Sequence, residues 1–459
     1  MVSVAAGWRD VLVTGMGFCL PGPDGTVCRT SDDLWRTVST GRSNLDNDGF
    51  FYGHVPLTEE EFSRAVPELP ARFLKNYASI HLYGLLALVE ACDDAALDWR
   101  GTELADAAVL TGRVGVDNSF DTYLDCVRAS PDALTPQEAR SLFMRLAVSV
   151  TATDVATVQA SLLRSGGPNY TLSCGCASTA ALLGVAANQI ASGEVDIAVV
   201  TGVDAFNLDR VEHFEELRAV AERSSERPSF QSPPTQLRFD RPMRPYDERA
   251  DGFNIGEGAA TLILESREHA ERRGRRAYGQ ILGQSTMRGA VASAITANED
   301  GDALVRAARN CLRARDSHAR IAPAEVPVVN GGAQGDPLFN TMEFNAIRSL
   351  YGLHGTDSVG PLVSTQEACF GHNAAPLGNV GAAATLLMMR NGQVCPTANC
   401  EKVSEDCPFD LVTGAQPRPL DFDLALSFNY QMGGVSSALL LTPAERAVGA
   451  TAPSGGQRP

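Results

Sequence analysis

The sequence predicts an α/β protein built as a duplication, on three observations. Short apolar runs ended by Gly or turn residues alternate with longer segments of helical apolar spacing, which is the signature of helices covering a sheet. The alternation occurs twice along the 459 residues. Each half also holds one helix unusually rich in Ala, Gly and Ser, entered through a Cys or a His.

In chain order, "DVLVTGMGF" (10–18), "DAAVLTGR" (106–113), "NYTLS" (169–173) and "DIAVVTGVDA" (196–205) read as buried strands, with helices at 77–97 and 176–192. The second half repeats the pattern. Strands are expected near 278–284, 326–330 and 360–364, helices near 301–314, 338–350 and 376–391, and a terminal strand pair at 424–429 and 434–442. "CGCASTAALLGVAANQI" and "FGHNAAPLGNVGAAATLLMM" are the two small-residue helices, and they would let two backbones approach closely as the buried spine of the duplicated fold. The halves divide as 1–267 and 268–443. The Ser/Pro-rich stretch 224–238 is expected to be a surface loop insertion in the first half, and 444–459, which lacks apolar periodicity, a disordered tail.

Composition narrows the function. Lys+Arg 38 against Asp+Glu 55 gives a net charge of −17, and no basic tract of nucleic-acid type is present, so phosphate-backbone binding is excluded. The basic run "RRGRR" (272–276) follows a helix and is expected to serve its C-terminal dipole. Eleven cysteines scattered through apolar runs point to a reducing, cytoplasmic setting rather than a disulfide frame. Cys395, Cys400 and Cys407 lack paired CxxC spacing, so no metal site is expected. The first ten residues show no basic stretch leading into an apolar core, and no apolar run approaches the ~20 residues of a membrane span, so neither export nor a membrane is expected.

The chemistry centres on "NYTLSCGCASTAALLG" (169–184). A helix N-terminus favours a thiolate through its dipole and free N–H groups. Cys176 stands where the helix is expected to begin, whereas Cys174 belongs to the strand exit.

The run from 166 to 205 resembles the nucleophile region of the β-ketoacyl-acyl carrier protein synthases of fatty acid and polyketide type, members of the thiolase-like superfamily. Counting back from Gly193 by the family interval lands on Cys176. "VLVTGMGFCLPGP", "RPYDERADGFNIGEGAATLILES" (244–266) and "LSFNYQMGGVSSALLL" (426–441) agree in order, so the resemblance covers about 10–442. It implies the thiolase-like fold, with duplicated βαβαβ halves in a five-layer α-β-α-β-α sandwich. It also implies an acyl carrier protein as partner and no cofactor beyond the phosphopantetheine arm that the carrier brings. Relatives pair through the strand before the nucleophile, here about 169–173, as homodimers or as heterodimers with another ketosynthase subunit.

The family's condensing set is a Cys, two His and a Lys, and this chain departs from it. In "VVNGGAQGDP" (328–337) the first His position falls on Gly332, and two Thr positions that touch the pantetheine arm fall on Gln334 and Asp336. In "STQEACFGHNAAPLG" (364–378) the second His is His372, but the Lys position is Glu367, or Gln366 under a one-residue slip, which leaves the buried acid Glu343 without its expected partner. Losing one preorganised donor to the enolate oxygen commonly costs about 10²–10³ in rate. Asn330 and Gln334 are the side chains able to supply an amide donor there. The oxyanion donors implied by the resemblance are the N–H of Cys176 and one from Met432 or Gly433, with Tyr430 beside them in the substrate pocket.

The expectation is an acyltransferase that loads an acyl group on Cys176, with His372 as base, and passes it to an acceptor without efficient malonyl decarboxylation. Two alternatives stand beside it. One is a decarboxylating synthase with a rebuilt enolate site. The other is a non-catalytic partner resembling a chain-length factor, a class that usually replaces the Cys.

Overall fold

The computed structural model describes residues 8–444 except 70–73, 75, 115–118, 150–153, 207–210, 223–236, 293–296, 314–319 and 354–359. Most of the expected 224–238 insertion and all but the first residue of the 444–459 tail therefore lie outside the described residues. The elements that build the layers are labelled in chain order. The first half contributes β1 (Val11–Pro21), α1 (Ser79–Asp94), β2 (Ala108–Gly112), α2 (Asp154–Leu163), β3 (Asn169–Leu172), α3 (Ser178–Ser192), β4 (Ile197–Asp204) and β5 (Gly258–Ser266). The second contributes β6 (Gly279–Arg288), α4 (Asp302–Cys311), β7 (Val328–Asn330), α5 (Pro337–Tyr351), β8 (Leu362–Ser364), α6 (Glu367–Phe370), α7 (Leu377–Asn391), β9 (Asp410–Leu411), β10 (Ala425–Tyr430) and β11 (Val435–Thr442). The strand β5 adds to the expected set. Its nine residues are all buried, so it carries no alternation to mark it.

Among the described residues these eleven strands, with the short strand Val27–Cys28 beside β1, join into one twelve-stranded sheet in which the duplication is written as strand order. The first half runs β1-β5-β4-β2-β3, and the second runs β6-β11-β10-β7-β8 with β9 outside it. Counted within each half, both orders are first, fifth, fourth, second, third. Both also share the same sense, antiparallel for the first two neighbours and parallel for the next two. The halves meet where β1 pairs β6 over two residues, Leu12 with Gln280 and Val13 with Gly279.

Five layers follow. Helices α1 and α2 cover the outer face of the first half, and α4, backed by α5, covers that of the second. Between the two halves lie α3 and α7, packed on each other and on strands of both. Their small residues are what allows this. A Cβ on Gly378 of α7 would lie 2.2 Å from the Ala180 nitrogen of α3, so no larger residue fits there at this spacing. Each of these helices is fifteen residues long and ends in a left-handed glycine, Gly193 and Gly392. Among the described residues no helix is long and apolar enough to cross a membrane, and no cluster of His, Cys, Asp and Glu could hold a metal ion.

Two expectations change in detail. Helix α3 begins at Ser178, two residues after Cys176, because the chain first turns through Gly175. The basic run at 272–276 serves a second helix end besides the one it follows, in whose last turn Arg272 lies as expected. Arg273 donates to the carbonyls of Ala95 and Ala96, and Arg275 to those of Asp94 and Thr14, so both close the C-terminus of α1.

Candidate active site

The close packing of α3 on α7 also sets the distance between the residues that precede them. Thr179, one residue into α3, donates to the Ala375 carbonyl at 2.5 Å and accepts from the Asn379 N–H at 3.2 Å. Asp204, at the end of β4, accepts the Ala375 N–H at 2.9 Å. Both entry turns are thereby pinned to one point, Cys176 on one side and His372 on the other.

Each entry turn has its own scaffold. Gly175 sits at φ +56°, where an L side chain is strained, and a Cβ there would also lie 1.6 Å from Gln431 Oε1. Ser178 accepts the Cys174 N–H at 2.9 Å and donates to the Gly175 carbonyl at 2.5 Å, closing the turn around Cys176. His372 is held by backbone: its N–H donates to the Asn254 carbonyl at 2.8 Å, and its carbonyl accepts from Gly256 at 3.1 Å. The Phe253 ring meets the imidazole edge-on at 5.3 Å between centroids. The stretch 244–266, quoted above as a motif, is thus the shelf on which the imidazole rests.

Cys176 Sγ lies 2.8 Å from His372 Nε2, and His372 Nδ1 lies 2.7 Å from Glu367 Oε2. This is the geometry that a nucleophile, a base and an orienting carboxylate in line would require. Burial alone would lower the pKa of the imidazole, but the sulfur and the Glu367 carboxylate outweigh it and hold His372 well above the ordinary histidine value. The carboxylate also fixes the tautomer: with Nδ1–H on Glu367, Nε2 is left to face sulfur. Cys174 sees a different environment, in which burial raises its pKa.

Glu367 was expected to mark a lost lysine in the substrate pocket; the structure corrects this, because the carboxylate points at the imidazole. The signal was present in the Glu-x4-His spacing of "EACFGH", but only the one-turn helix α6 followed by Gly371 folds the two side chains together.

The other side of the site is filled. Above Gly332 lies the Tyr430 ring: a Cβ on that glycine would come 3.1 Å from Tyr430 Cε1 and 2.9 Å from the Phe428 carbonyl. Tyr430 stacks on Phe339 and donates to Glu343 Oε2 at 2.7 Å. Glu343 is fully buried, as expected of that acid, and takes the Tyr430 hydroxyl as partner where a lysine was missing. Tyr246, also fully buried, crowds Gly331 together with Glu343. Burial pushes the Glu343 pKa up to about 7 against the lowering effect of the tyrosine hydroxyls.

The remaining expected pocket residues take structural duties. Asp336 is the N-cap of α5, accepting the Leu338 N–H at 2.8 Å, with its pKa raised to about 6 by burial. Asn330 Nδ2 donates to the Gly381 carbonyl at 3.2 Å, so that amide is committed to α7 and not to a substrate oxygen. Gln334 is buried. Of the turn 431–434, the Gln431 N–H is bound to the Val435 carbonyl at 2.9 Å. Among the described residues, the N–H groups of Cys176, Met432 and Gly433 have no backbone acceptor.

Family models for the β-ketoacyl synthase N-terminal domain and C-terminal domain match residues 8–270 and 278–401. The 3-oxoacyl-[acyl-carrier-protein] synthase 2 of Vibrio harveyi is 26% identical over 94% of this chain and 98% of its own. A Streptomyces cyaneus protein named as polyketide β-ketoacyl synthase 1 is 28% identical over 95% and 99%. Among solved structures, the ishigamide ketosynthase/chain length factor superposes with a TM-score of 0.75 at 24% identity, covering 95% of this chain and all of that one. A type II polyketide ketosynthase in complex with its acyl carrier protein gives 0.72 at 22%, with the same coverage. With both family domains matched in order and the nucleophile turn between its two central helices, the chain belongs to the β-ketoacyl synthase family.

Proposed function

We propose that the protein is a ketosynthase-like acyltransferase of polyketide or fatty-acid-type biosynthesis, which takes an acyl group from an acyl carrier protein onto Cys176 and transfers it onward without efficient malonyl decarboxylation. The observation that carries this reading is the Cys176–His372–Glu367 relay. It supplies what acyl transfer asks for, while the position of a second imidazole is a glycine under a tyrosine ring.

In the loading step the Cys176 proton is held on His372 Nε2, and the thiolate sulfur attacks the carbonyl carbon of the carrier thioester. The tetrahedral oxyanion is received by the N–H of Cys176 with that of Met432 or Gly433. Collapse breaks the bond to the pantetheine sulfur, which leaves with the proton from His372. In the second step the acceptor's nucleophilic atom gives its proton to His372 and attacks the Cys176 thioester, and collapse returns the thiol. Glu367 balances the imidazolium that forms in both steps.

The family relationship supports a carrier protein as donor, since a related structure holds its own carrier. It also supports a dimer, and β3 fits that role: among the described residues it is the last strand of the sheet and pairs only β2. Whether the second subunit is a copy or a related chain is settled by light scattering on the pure protein, where a clean monomer would point to a different subunit.

The test of function is intact-protein mass spectrometry with a panel of acyl carriers, read together with carbon dioxide release from a malonyl carrier. Acyl adducts mapped to Cys176 with no matching carbon dioxide support the proposal. Carbon dioxide at the rate of acyl turnover would establish a condensing enzyme instead, and failure to form any adduct would favour a non-catalytic partner.

A further inference from the structure

Beside Glu367 the structure holds a small cavity of about 20 Å³. Its walls include Asn330, Thr365, Glu367, Asn373 and Asn429. His372 is not among them, so the cavity meets the orienting carboxylate's residue without meeting the imidazole.

The walls are unusual in what they leave unpaired. Asn330 Oδ1, Thr365 Oγ1, Asn429 Oδ1 and both amide atoms of Asn373 are buried without a hydrogen-bond partner in the protein. None of these residues is more than 5% exposed. Buried polar atoms are almost always satisfied, and an isolated one is costly; here four side chains leave theirs unpaired around a single space. The space exceeds the ~10–15 Å³ that one water requires, and the walls offer more than the two to four polar partners it needs. The set has donor and acceptor character: the Asn373 amide N–H₂ and the Thr365 hydroxyl can give, and the amide oxygens and a carboxylate can accept.

We propose that the cavity binds one structural water that links Thr365 and Asn373 to Glu367, which makes these two side chains positioning residues for His372. This rests on the relay reading of the site and deepens it. A carboxylate that orients an imidazole works only while its own oxygens are fixed. Glu367 stands on a single helical turn, too short to fix it alone. A water shared with Thr365, just after β8, and with Asn373, next to His372 in the chain, ties the carboxylate to both ends of that turn.

The experiment is the pH-rate profile for alkylation of Cys176 by iodoacetamide, followed by peptide mapping, in the full-length protein. Thr365→Val removes a hydroxyl at constant shape, and Asn373→Ala opens the second partner. Each is expected to move the lower limb of the profile upward by about half to one pH unit and to lower acyl turnover about tenfold with little change in KM, the scale of a misplaced reacting group. Thr365→Ser, which returns the hydroxyl, should restore both. Glu367→Gln is the control for the relay itself. If Glu367→Gln shifts the profile while Thr365→Val and Asn373→Ala leave it within 0.2 units, the cavity proposal falls and the relay stands. If Glu367→Gln also leaves it unmoved, the relay reading falls. A crystal structure of the wild-type protein gives a readout independent of folding of the variants. Density for a water within hydrogen-bond reach of Thr365 Oγ1 and Asn373 supports the assignment. A dry cavity, or an anomalous peak there after soaking with thallium(I), overturns it.

Discussion

The site has two sides, and they have been treated in opposite ways. On one, Cys176, His372 and Glu367 stand in hydrogen-bond contact, with charge concentrated between the entry turns of the two central helices. On the other, Gly332, Glu343 and Tyr430 are packed shut: the glycine offers no group, the tyrosine ring covers it, and the acid is buried with a pKa near neutrality. The first arrangement keeps a thiol and a proton acceptor ready for acyl transfer. On the proposed reading, the second stands where an enolate would need its donors. Family membership alone would assign both halves of the condensing reaction, whereas the function proposed above rests on the machinery of one.

The sharpest way to break this contrast is on the charged side. His372→Ala removes the base, and we expect acyl turnover to fall by about 10²–10⁴, the range for loss of a positioned acid or base. Slow adduct formation on Cys176 should survive, because the N-terminus of α3 two residues away still favours thiolate. Measuring loading and onward transfer separately by mass spectrometry checks this. Equal loss in both steps would mean that His372 is needed to form the thiolate as well as to move the proton.

The filled side has its own signature in stability. Glu343 is raised from 4.5 to about 7, so the folded state prefers its protonated form. The associated stability, about 3 kcal/mol, is fully present below pH 4.5 and is lost as pH rises through 7. Glu343→Gln keeps an acceptor for the Tyr430 hydroxyl and carries no such dependence. Urea midpoints at pH 5 and pH 8 should therefore differ less in the variant than in the wild type. A wild-type midpoint that does not fall between these values would show that the acid is charged and that this side is not neutral.

How much of the contrast was legible in the sequence differs between its sides. Cys176 was legible as the candidate nucleophile because the family interval counted back from Gly193, the glycine that ends α3, lands on it. The two central helices were legible for the same reason that they matter, since their small residues are a packing requirement that composition reveals. The start of α3 was misplaced by two residues, because a left-handed glycine turn inside "CGC" is a matter of backbone geometry and not of periodicity. Glu367 was visible only as a missing lysine: that its carboxylate meets Nδ1 depends on a single turn of helix that no hydrophobic pattern announces. Tyr430 over Gly332 was not legible at all, since it requires β10 to lie beside β7, nearly a hundred residues away in the chain.

A smaller effect tests the link between imidazole and carboxylate. Glu367→Gln preserves size and a hydrogen bond but removes the charge that balances the imidazolium, and we expect acyl turnover to fall about 10²-fold, less than for loss of the base itself. The pH profile should move with it: His372 is held well above its ordinary pKa partly by Glu367, so the limb that reports its deprotonation should shift to lower pH in the variant. An unchanged limb would leave the thiolate as the only charge that matters to the ring.

The mildest perturbation sharpens the comparison most directly, because it tries to turn the filled side back into an open one. Gly332→His puts an imidazole where the family has one, but its Cβ must displace the Tyr430 ring at 3.1 Å and the Phe428 carbonyl at 2.9 Å. Overpacking of this kind costs about 1–3 kcal/mol, so a lowered melting temperature is expected. Carbon dioxide release from a malonyl carrier should stay at background, since the new ring lacks a clear space and Glu367, Gln334 and Asp336 remain in place. Combining it with Tyr430→Ala removes the obstruction and the hydrogen bond to Glu343 together, which should recover part of the lost stability. If the single variant decarboxylates, Tyr430 yields readily, and the filled side is a closed gate over a working pocket; if neither does, the loss of condensation is spread over the whole side, as its packing indicates.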